Sequence, residues 1–197
     1  MKRFVVVVDT QWDFMASDGA LSVAGAADLA EPMTDWLAAL HPAETAGVLF
    51  TYDTHDPEIY ARSPEAEVFP AHCVRGSKGW TNVLDATMID PAIPTWTIEK
   101  GVFDMWAEER LSIADARDPH AATIDRENFF ARLKIAGVDV VTVIGVAADY
   151  CVRWAIEGLV TRGFAVEVPA ALTRGIERQI EAVAAQEFDG ETVRILG

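Results

Sequence analysis

Cysteine is scarce in this sequence. Only 2 of the 197 residues are cysteine, Cys73 and Cys151, and they do not form a CxxC pair. This excludes a disulfide framework and a cysteine-rich zinc site, and it predicts a protein of the reducing cytoplasm. A single Cys73–Cys151 disulfide is the alternative that the sequence leaves open.

Basic residues are also few. The chain has 16 Lys and Arg against 31 Asp and Glu, which gives a formal net charge of −15. Nucleic acid and anionic membrane would be repelled, so we expect neither as a partner. The apolar run at 4–8 is too short for a signal peptide, and no segment is long enough to span a bilayer. The loop after this run lacks a glycine-rich phosphate cradle, which disfavours a flavodoxin-like cofactor binder.

The most informative stretch that is present is 138–153. A run of β-branched residues ends at Gly145, a turn of small residues follows, and Cys151 stands where a helix begins. Open α/β folds bind ligands at the carboxyl edge of their sheet. A helix N-terminus also lowers a thiol pKa, so we interpret Cys151 as a nucleophile.

Strands and helices alternate along the chain. The patterns predict strands at 3–8, 47–52, 95–99, 138–145, 164–168 and 191–196, and helices at 26–40, 125–135, 150–162 and 173–188. Residues 106–122 show no clean periodicity. The alternation predicts an α/β fold with a parallel sheet and right-handed crossovers, formed by a single domain over 1–197.

Side chains with catalytic chemistry follow three of these strands. Asp9 ends the first strand, where it either caps the next loop or acts as a charged catalytic group. Asp53 and His55 lie two residues apart, so they share one face of an extended backbone. With His72 they are a typical ligand set for Zn, Fe or Mn, although loop histidines also bond to backbone. Lys100 is either solvated or stabilises anions beside the thiol.

Together these residues resemble the isochorismatase-like cysteine hydrolases, and within them the nicotinamidases. The resemblance covers nearly the whole chain. It rests on Asp9-Thr10-Gln11-Trp12-Asp13-Phe14 with Gly19-Ala20-Leu21, Asp53-Thr54-His55, the stretch 69–76, Glu99-Lys100-Gly101 and the stretch 145–152. It implies a Rossmann-like, three-layer α/β/α fold whose six-stranded parallel sheet has the order 3-2-1-4-5-6. That order places Asp9 and Cys151 across the topological switch point.

The resemblance also implies a catalytic role for each residue of the nucleophile site. Cys151 is the expected nucleophile, Asp9 the base, and Lys100 the cation that holds the site together. The backbone N–H groups of Ala147 and Cys151 are the expected oxyanion hole. Family members often have a cis peptide in this turn, which here falls at Val146–Ala147.

The implied substrate is nicotinamide, converted with water to nicotinate and ammonia in cytoplasmic NAD salvage. Asp53, His55 and His72 are the expected ligands of a divalent ion, zinc before iron or manganese, that orients the pyridine ring. Phe14 and Phe69 are the expected walls around that ring. The family also implies a homo-oligomer, and we expect residues 106–120 to be a contact region.

Several positions depart from the family pattern. Phe69 stands where nicotinamidases usually have tryptophan, Thr54 and Asp56 replace Trp and Pro, and Trp154 is bulky where small residues are common. A fourth metal-side ligand seen in some members has no histidine equivalent here, and Ser63 or water is the expected substitute. Two alternatives stay open: an amidase for another carbamoyl, ureido or heteroaryl amide, and a non-catalytic binding domain, which predicts a broken triad.

Overall fold

The computed structural model describes residues 2–197. Its strands are β1 Arg3–Val8, β2 Thr45–Asp53, β3 Thr95–Lys100, β4 Ser112–Asp115, β5 Ile124–Asp125, β6 Val140–Val146, β7 Ala165–Pro169, β8 Thr173–Arg174 and β9 Val193–Leu196. Its helices are α1 Trp12–Met15, α2 Ala30–Ala38, α3 Pro57–Tyr60, α4 Arg126–Ile135, α5 Cys151–Thr161 and α6 Ile180–Glu187. Short 3-10 helices lie at Ala27–Leu29, Pro64–Glu67, Ala86–Met88 and Ala170–Leu172.

The strands form a single sheet in the order β5-β4-β3-β2-β1-β6-β7-β9, and β8 pairs with the end of β6. Six of these strands, in the spatial order β3-β2-β1-β6-β7-β9, pair in parallel with their neighbours. This confirms the predicted 3-2-1-4-5-6 order. The expected total of six strands is wrong. Strands β4 and β5 add an antiparallel edge, and at 4 and 2 residues they are too short to leave a periodic signal in the sequence.

The central strand β1 is buried on both faces, as its continuous apolar sequence predicts. Phe4, Val6 and Val8 belong to one hydrophobic cluster, which includes the inner faces of α4, α5 and α6. Val5 and Val7 belong to a second cluster, which includes the inner face of α2. Helices therefore cover both faces of the sheet, which gives the three-layer arrangement and leaves its carboxyl edge open for a site.

Two predicted segments differ from the observed elements. The helix expected over 173–188 begins only at Ile180, because Thr173 and Arg174 pair with the end of β6. In the segment 106–120, the indole N–H of Trp106 donates to the Trp154 carbonyl at 3.1 Å, within the chain itself. The interpretation of this segment as a subunit contact stays a prediction, as does the single domain over 1–197.

Within residues 2–197, no helix combines the length and the apolar character needed to cross a membrane.

Candidate active site

Cys151 is the first residue of α5 and lies beyond the carboxyl end of β6. The Val146–Ala147 peptide in this turn is cis, as the resemblance implies. Gly145 adopts φ +122°, and a Cβ at this position would lie 2.1 Å from the Val8 carbonyl oxygen. Only glycine therefore allows β6 to approach the end of β1 this closely.

Asp9, Lys100 and Cys151 meet in the interior of the protein. Lys100 Nζ lies 2.7 Å from Asp9 Oδ2 and 3.6 Å from Cys151 Sγ, and all three residues are at most 4% exposed. Asp9 Oδ1 accepts a hydrogen bond of 2.5 Å from the Thr51 hydroxyl. The Asp9 carboxylate thus faces the lysine and the thiol, and the alternative in which it caps the following loop is not the arrangement observed.

The pKa of the nucleophile shifts in the opposite direction to the one expected. Burial raises the pKa of the Cys151 thiol well above its usual value, and this outweighs the Lys100 ammonium, while the Asp9 and Asp53 carboxylates raise it further. Burial acts to lower the pKa of Lys100, but the same two carboxylates outweigh it and raise that pKa. The expectation of a lowered thiol pKa is wrong, because the helix N-terminus lies in a buried and anionic site.

Beside this group, Asp53, His55 and His72 converge, and Glu65 joins them. Asp53 Oδ2 lies 3.1 Å from the Nε2 atom of each histidine. Glu65 Oε1 lies 3.6 Å from His55 Nε2 and 3.3 Å from His72 Nε2. Ligands bound at about 2.0–2.1 Å around a tetrahedral ion lie about 3.3 Å apart, so this spacing fits a small divalent ion. These four residues are called the metal cluster below.

Glu65 rather than Ser63 is the fourth side chain of the metal cluster. The Ser63 hydroxyl caps the 3-10 helix Pro64–Glu67 by accepting a hydrogen bond of 3.3 Å from the Ala66 N–H. The expectation that Ser63 takes this place is therefore corrected. Sequence reasoning missed Glu65 because it sought a histidine equivalent, although a carboxylate is an equally good ligand for zinc.

Charge and hydrogen bonding support the same conclusion. When both histidines are neutral and turn their Nε2 lone pairs toward a metal ion, the buried Glu65 Oε1 has no hydrogen-bond donor among residues 2–197. In that protonation state the carboxylates of Asp9, Asp53 and Glu65 carry three negative charges against the one positive charge of Lys100, which leaves two negative charges. A divalent cation would neutralise them and satisfy the unpaired oxygen.

Both histidines present Nε2 to the metal cluster. His72 Nδ1 lies 2.8 Å from the Pro70 carbonyl oxygen, which orients the ring. Burial acts to lower the pKa values of the histidines, but the Asp53 and Glu65 carboxylates outweigh it. They raise the pKa of His55 to about 9 and that of His72 to about 10. Protons and a metal ion therefore compete for the same Nε2 atoms.

Gln11 positions the strand that carries Asp53. Its Nε2 donates to the Asp53 carbonyl at 2.7 Å, and its Oε1 accepts from the Asp53 N–H at 2.7 Å. Gln11 Nε2 also donates to the Trp80 carbonyl at 3.0 Å, and Trp80 Nε1 donates to the Thr54 hydroxyl at 2.8 Å. Sequence reasoning gave Gln11 no role. Its place two residues after Asp9 in the first motif was the available signal.

Asp149 fixes the turn before the nucleophile. Its carboxylate accepts hydrogen bonds from the N–H groups of Ile176, Glu177 and Arg178 at 2.9, 2.8 and 2.9 Å. Asp149 is 8% exposed, so these charge-assisted bonds are largely shielded from water. They tie the turn that presents Cys151 to the loop after β8.

An aromatic trio forms the outer wall of the site. The rings of Phe69, Phe103 and Tyr150 have their centroids 5.3 to 5.6 Å apart, and they line a cavity of about 510 Å³ that also borders Glu65. Phe14 lies on α1, with its ring centroid 5.3 Å from that of a cluster histidine. The two phenylalanines expected as ring walls therefore both border the site, and Phe103 was missed.

Trp154 and the possible disulfide are the two remaining sequence features, and neither takes part in the site. Trp154 stacks with the guanidinium of Arg153, 4.0 Å from its ring centre, and is only half-buried. Cys73 and Cys151 are both free thiols, so the disulfide alternative is excluded.

Comparisons with known proteins identify the family and the fold. The model of the isochorismatase domain matches residues 3–193. Nicotinamidase/pyrazinamidase of Mycobacterium tuberculosis is 30% identical over 197 residues, covering 98% of each chain. The crystal structure of a nicotinamidase from Bacillus subtilis has a TM-score of 0.73 at 18% identity and full coverage of both chains. That of the pyrazinamidase of Pyrococcus horikoshii in complex with zinc has a TM-score of 0.71 at 24% identity, covering 100% and 99%. The chain belongs to the isochorismatase family.

Proposed function

We propose that this protein is a metal-assisted nicotinamidase that converts nicotinamide and water to nicotinate and ammonia through a thioester on Cys151. One observation carries the proposal. The Cys151, Lys100 and Asp9 group and the metal cluster adjoin each other, and Lys100 Nζ lies 3.4 Å from Asp53 Oδ1. A small ring with one carboxamide and one ring nitrogen matches this pairing. The nicotinamidase and pyrazinamidase relatives support the same substrate class.

Acylation begins with the neutral Cys151 thiol. Its Sγ attacks the amide carbon while its proton passes to the Asp9 carboxylate, which forms the C–S bond and a tetrahedral oxyanion. The N–H groups of Ala147 and Cys151 receive this oxyanion. Within residues 2–197, neither N–H donates a hydrogen bond to another group, so both are free for this role. The proton on Asp9 then passes to the nitrogen as the C–N bond breaks and ammonia leaves.

Deacylation uses the same residues. Asp9 removes a proton from a water molecule as the water oxygen attacks the thioester carbon. The C–S bond then breaks and nicotinic acid leaves, which loses its carboxyl proton to solvent and becomes nicotinate. Asp9 then returns its proton to the Cys151 sulfur. Lys100 stays an ammonium throughout, because its raised pKa keeps it protonated beside two carboxylates. It thereby stabilises Asp9 as a base and the developing thiolate.

Asp53, His55, Glu65 and His72 would hold the metal ion. A divalent ion bound there supplies a Lewis acid for the pyridine nitrogen, which orients the ring. We propose zinc, with iron or manganese as the other candidates, and the zinc-bound pyrazinamidase of similar fold supports this choice. Phe14 and the aromatic trio enclose the ring.

The test is ammonia release from nicotinamide by the metal-loaded protein. Wild-type protein should release ammonia, and Cys151→Ala should not, although it should still bind nicotinamide. Benzamide, which lacks the ring nitrogen, should be a poor substrate. Absence of turnover on every heteroaryl amide tested would contradict the proposal. Turnover of carbamoyl or ureido amides that persists after chelation would favour the related amidases instead.

We propose further that the enzyme acts in cytoplasmic NAD salvage, as a homo-oligomer that binds neither nucleic acid nor membrane. The net charge of −15 and the two free thiols support this setting. Analytical ultracentrifugation tests the oligomeric state.

A further inference from the structure

The cavity outside the aromatic trio is larger than a single pyridine ring with a carboxamide requires. Its volume is about 510 Å³, within the roughly 300–1,000 Å³ that drug-sized ligands occupy. Its lining consists of Ser63, Pro64, Glu65, Val68, Phe69, Val102, Phe103 and Tyr150. Glu65 is the only charged residue of this lining, and Glu65 Oε1 faces the histidines of the metal cluster.

The cavity adjoins the site through two of its lining residues. Glu65 belongs to the metal cluster, and Tyr150 directly precedes the nucleophile in the chain. From these two residues the cavity extends outward to Val68, which is 71% exposed, and Val102, which is 37% exposed. These are two of the five large hydrophobic residues that residues 2–197 expose, so the mouth of the cavity presents apolar surface to solvent.

The ring chemistry fixes which edge of a substrate would face this cavity. In nicotinamide the ring nitrogen and the carboxamide are meta to each other, and C2 lies between them. If the ring nitrogen faces the metal cluster and the amide carbon faces Cys151, then C2 points into the protein interior, between the metal cluster and Cys151. C5, which is meta to both the ring nitrogen and the carboxamide-bearing carbon, then points away from the interior and toward the cavity.

We propose that this site selects nicotinamide-type amides that carry an apolar substituent at C5, seated against Val68, Phe69, Val102 and Phe103. The inference rests on the proposed amidase function and narrows its substrate class. A substituent at C5 leaves both the nitrogen and the carboxamide unhindered. Contact between this substituent and the apolar walls stabilises the complex, because it removes valine and phenylalanine surface from water.

The experiment compares three amides on the metal-loaded protein: nicotinamide, 5-phenylnicotinamide and the isomer 2-phenylnicotinamide. We expect kcat/KM for the 5-phenyl amide to exceed that for nicotinamide by about tenfold or more, as burial of apolar surface of this size predicts. The 2-phenyl isomer has the same hydrophobicity but should not be hydrolysed. Calorimetry with the Cys151→Ala holoprotein should show the same order in Kd, independently of turnover.

Variants locate the effect within the protein. Val68→Ser and Val102→Ser should each lower the 5-phenyl to nicotinamide ratio of kcat/KM by about fourfold, the value of roughly one buried methylene. Ile135→Ser is the matched control. Ile135 is 87% exposed and ends α4, before the chain enters the amino end of β6, at the opposite edge of the sheet from the site. It should leave the ratio unchanged.

The outcomes separate the two proposals. Turnover of nicotinamide without a preference for the 5-phenyl amide would overturn this inference alone. Failure with both amides would overturn the proposed function and this inference with it. If Val68→Ser or Val102→Ser changes the oligomeric mass and not the ratio, the apolar surface is a subunit contact and the inference is wrong.

Discussion

The Asp53 carboxylate contacts both Lys100 of the nucleophile site and the two histidines of the metal cluster. Asp53 Oδ1 lies 3.4 Å from Lys100 Nζ, while Asp53 Oδ2 faces the two histidines. The same ammonium contacts Asp9 at 2.7 Å. A change of charge in the metal cluster therefore reaches the nucleophile site through a single side chain.

Replacement of Asp53 should change the thiol as well as the metal site. Asp53→Asn removes a negative charge that raises the pKa of Cys151, so that pKa should fall in the metal-free protein. Glu65→Gln removes a cluster charge that does not contact Lys100, so its effect on the thiol should be smaller. The pH dependence of iodoacetamide alkylation measures both. Equal thiol pKa values in the two variants would contradict the coupling.

Glu65 should contribute to metal binding, and Ser63 should not. Glu65→Gln should weaken zinc binding by at least about tenfold, since loss of even an outer-shell partner costs that much. Ser63→Ala removes only a helix cap, so it should leave the zinc Kd unchanged and cost about 0.5–2 kcal/mol of stability. Competition with a chromophoric chelator gives both Kd values, and equal weakening in the two variants would refute the assignment.

The fold was largely predictable from the sequence because its strong signals are local. The continuous apolar run of β1 predicts a strand that is buried on both faces. The glycine that ends the run of β-branched residues predicts the turn before the nucleophile. The order of the six main strands came from the family resemblance, and the observed pairing agrees with it. Strands β4 and β5 were missed because 4 and 2 residues cannot show a period.

The site was predictable at the strand ends and not between them. Asp9, Asp53 and Lys100 stand where parallel strands end, so topology alone brings them together. Glu65 lies in a short capped 3-10 helix that brings its side chain to the histidines, and so short an element leaves no periodic pattern in the sequence. The raised thiol pKa depends on how deeply Cys151 is buried and on which carboxylates face it, and these are properties of the packed molecule.

Loss of the buried ammonium should destabilise the protein. Lys100→Met leaves Asp9 and Asp53 facing each other without their shared cation, and breaking a buried ion pair costs about 3–5 kcal/mol. Lys78 pairs with Asp18 at the surface, with side chains 64% and 66% exposed. Lys78→Met should therefore cost less than about 1 kcal/mol. Urea unfolding of the metal-free proteins measures both, and equal costs would contradict a structural role for Lys100.

Asp149 should matter for stability and for turnover together. Asp149→Ala removes the shared acceptor of three part-buried backbone N–H groups, and loss of a hydrogen bond to a charged group costs about 1.5–3 kcal/mol. The loosened turn should also lower kcat, since it carries Cys151. Asp118→Ala is the control, because the exposed Asp118 accepts the His120 N–H in a surface turn. If Asp149→Ala unfolds at the same urea concentration as wild type, its three hydrogen bonds do not fix the turn.

Metal binding should release protons, and its affinity should rise with pH. The pKa of His55 is raised to about 9 and that of His72 to about 10 in the metal-free site, so both rings are protonated at neutral pH. A metal ion requires neutral Nε2 atoms, so at pH 7.5 binding should displace close to two protons. This number should fall toward zero as the pH rises through 9 and 10. Calorimetric titration of zinc in buffers of different ionisation enthalpy counts the protons. An enthalpy that does not depend on the buffer at pH 7.5 would show that the histidines are already neutral.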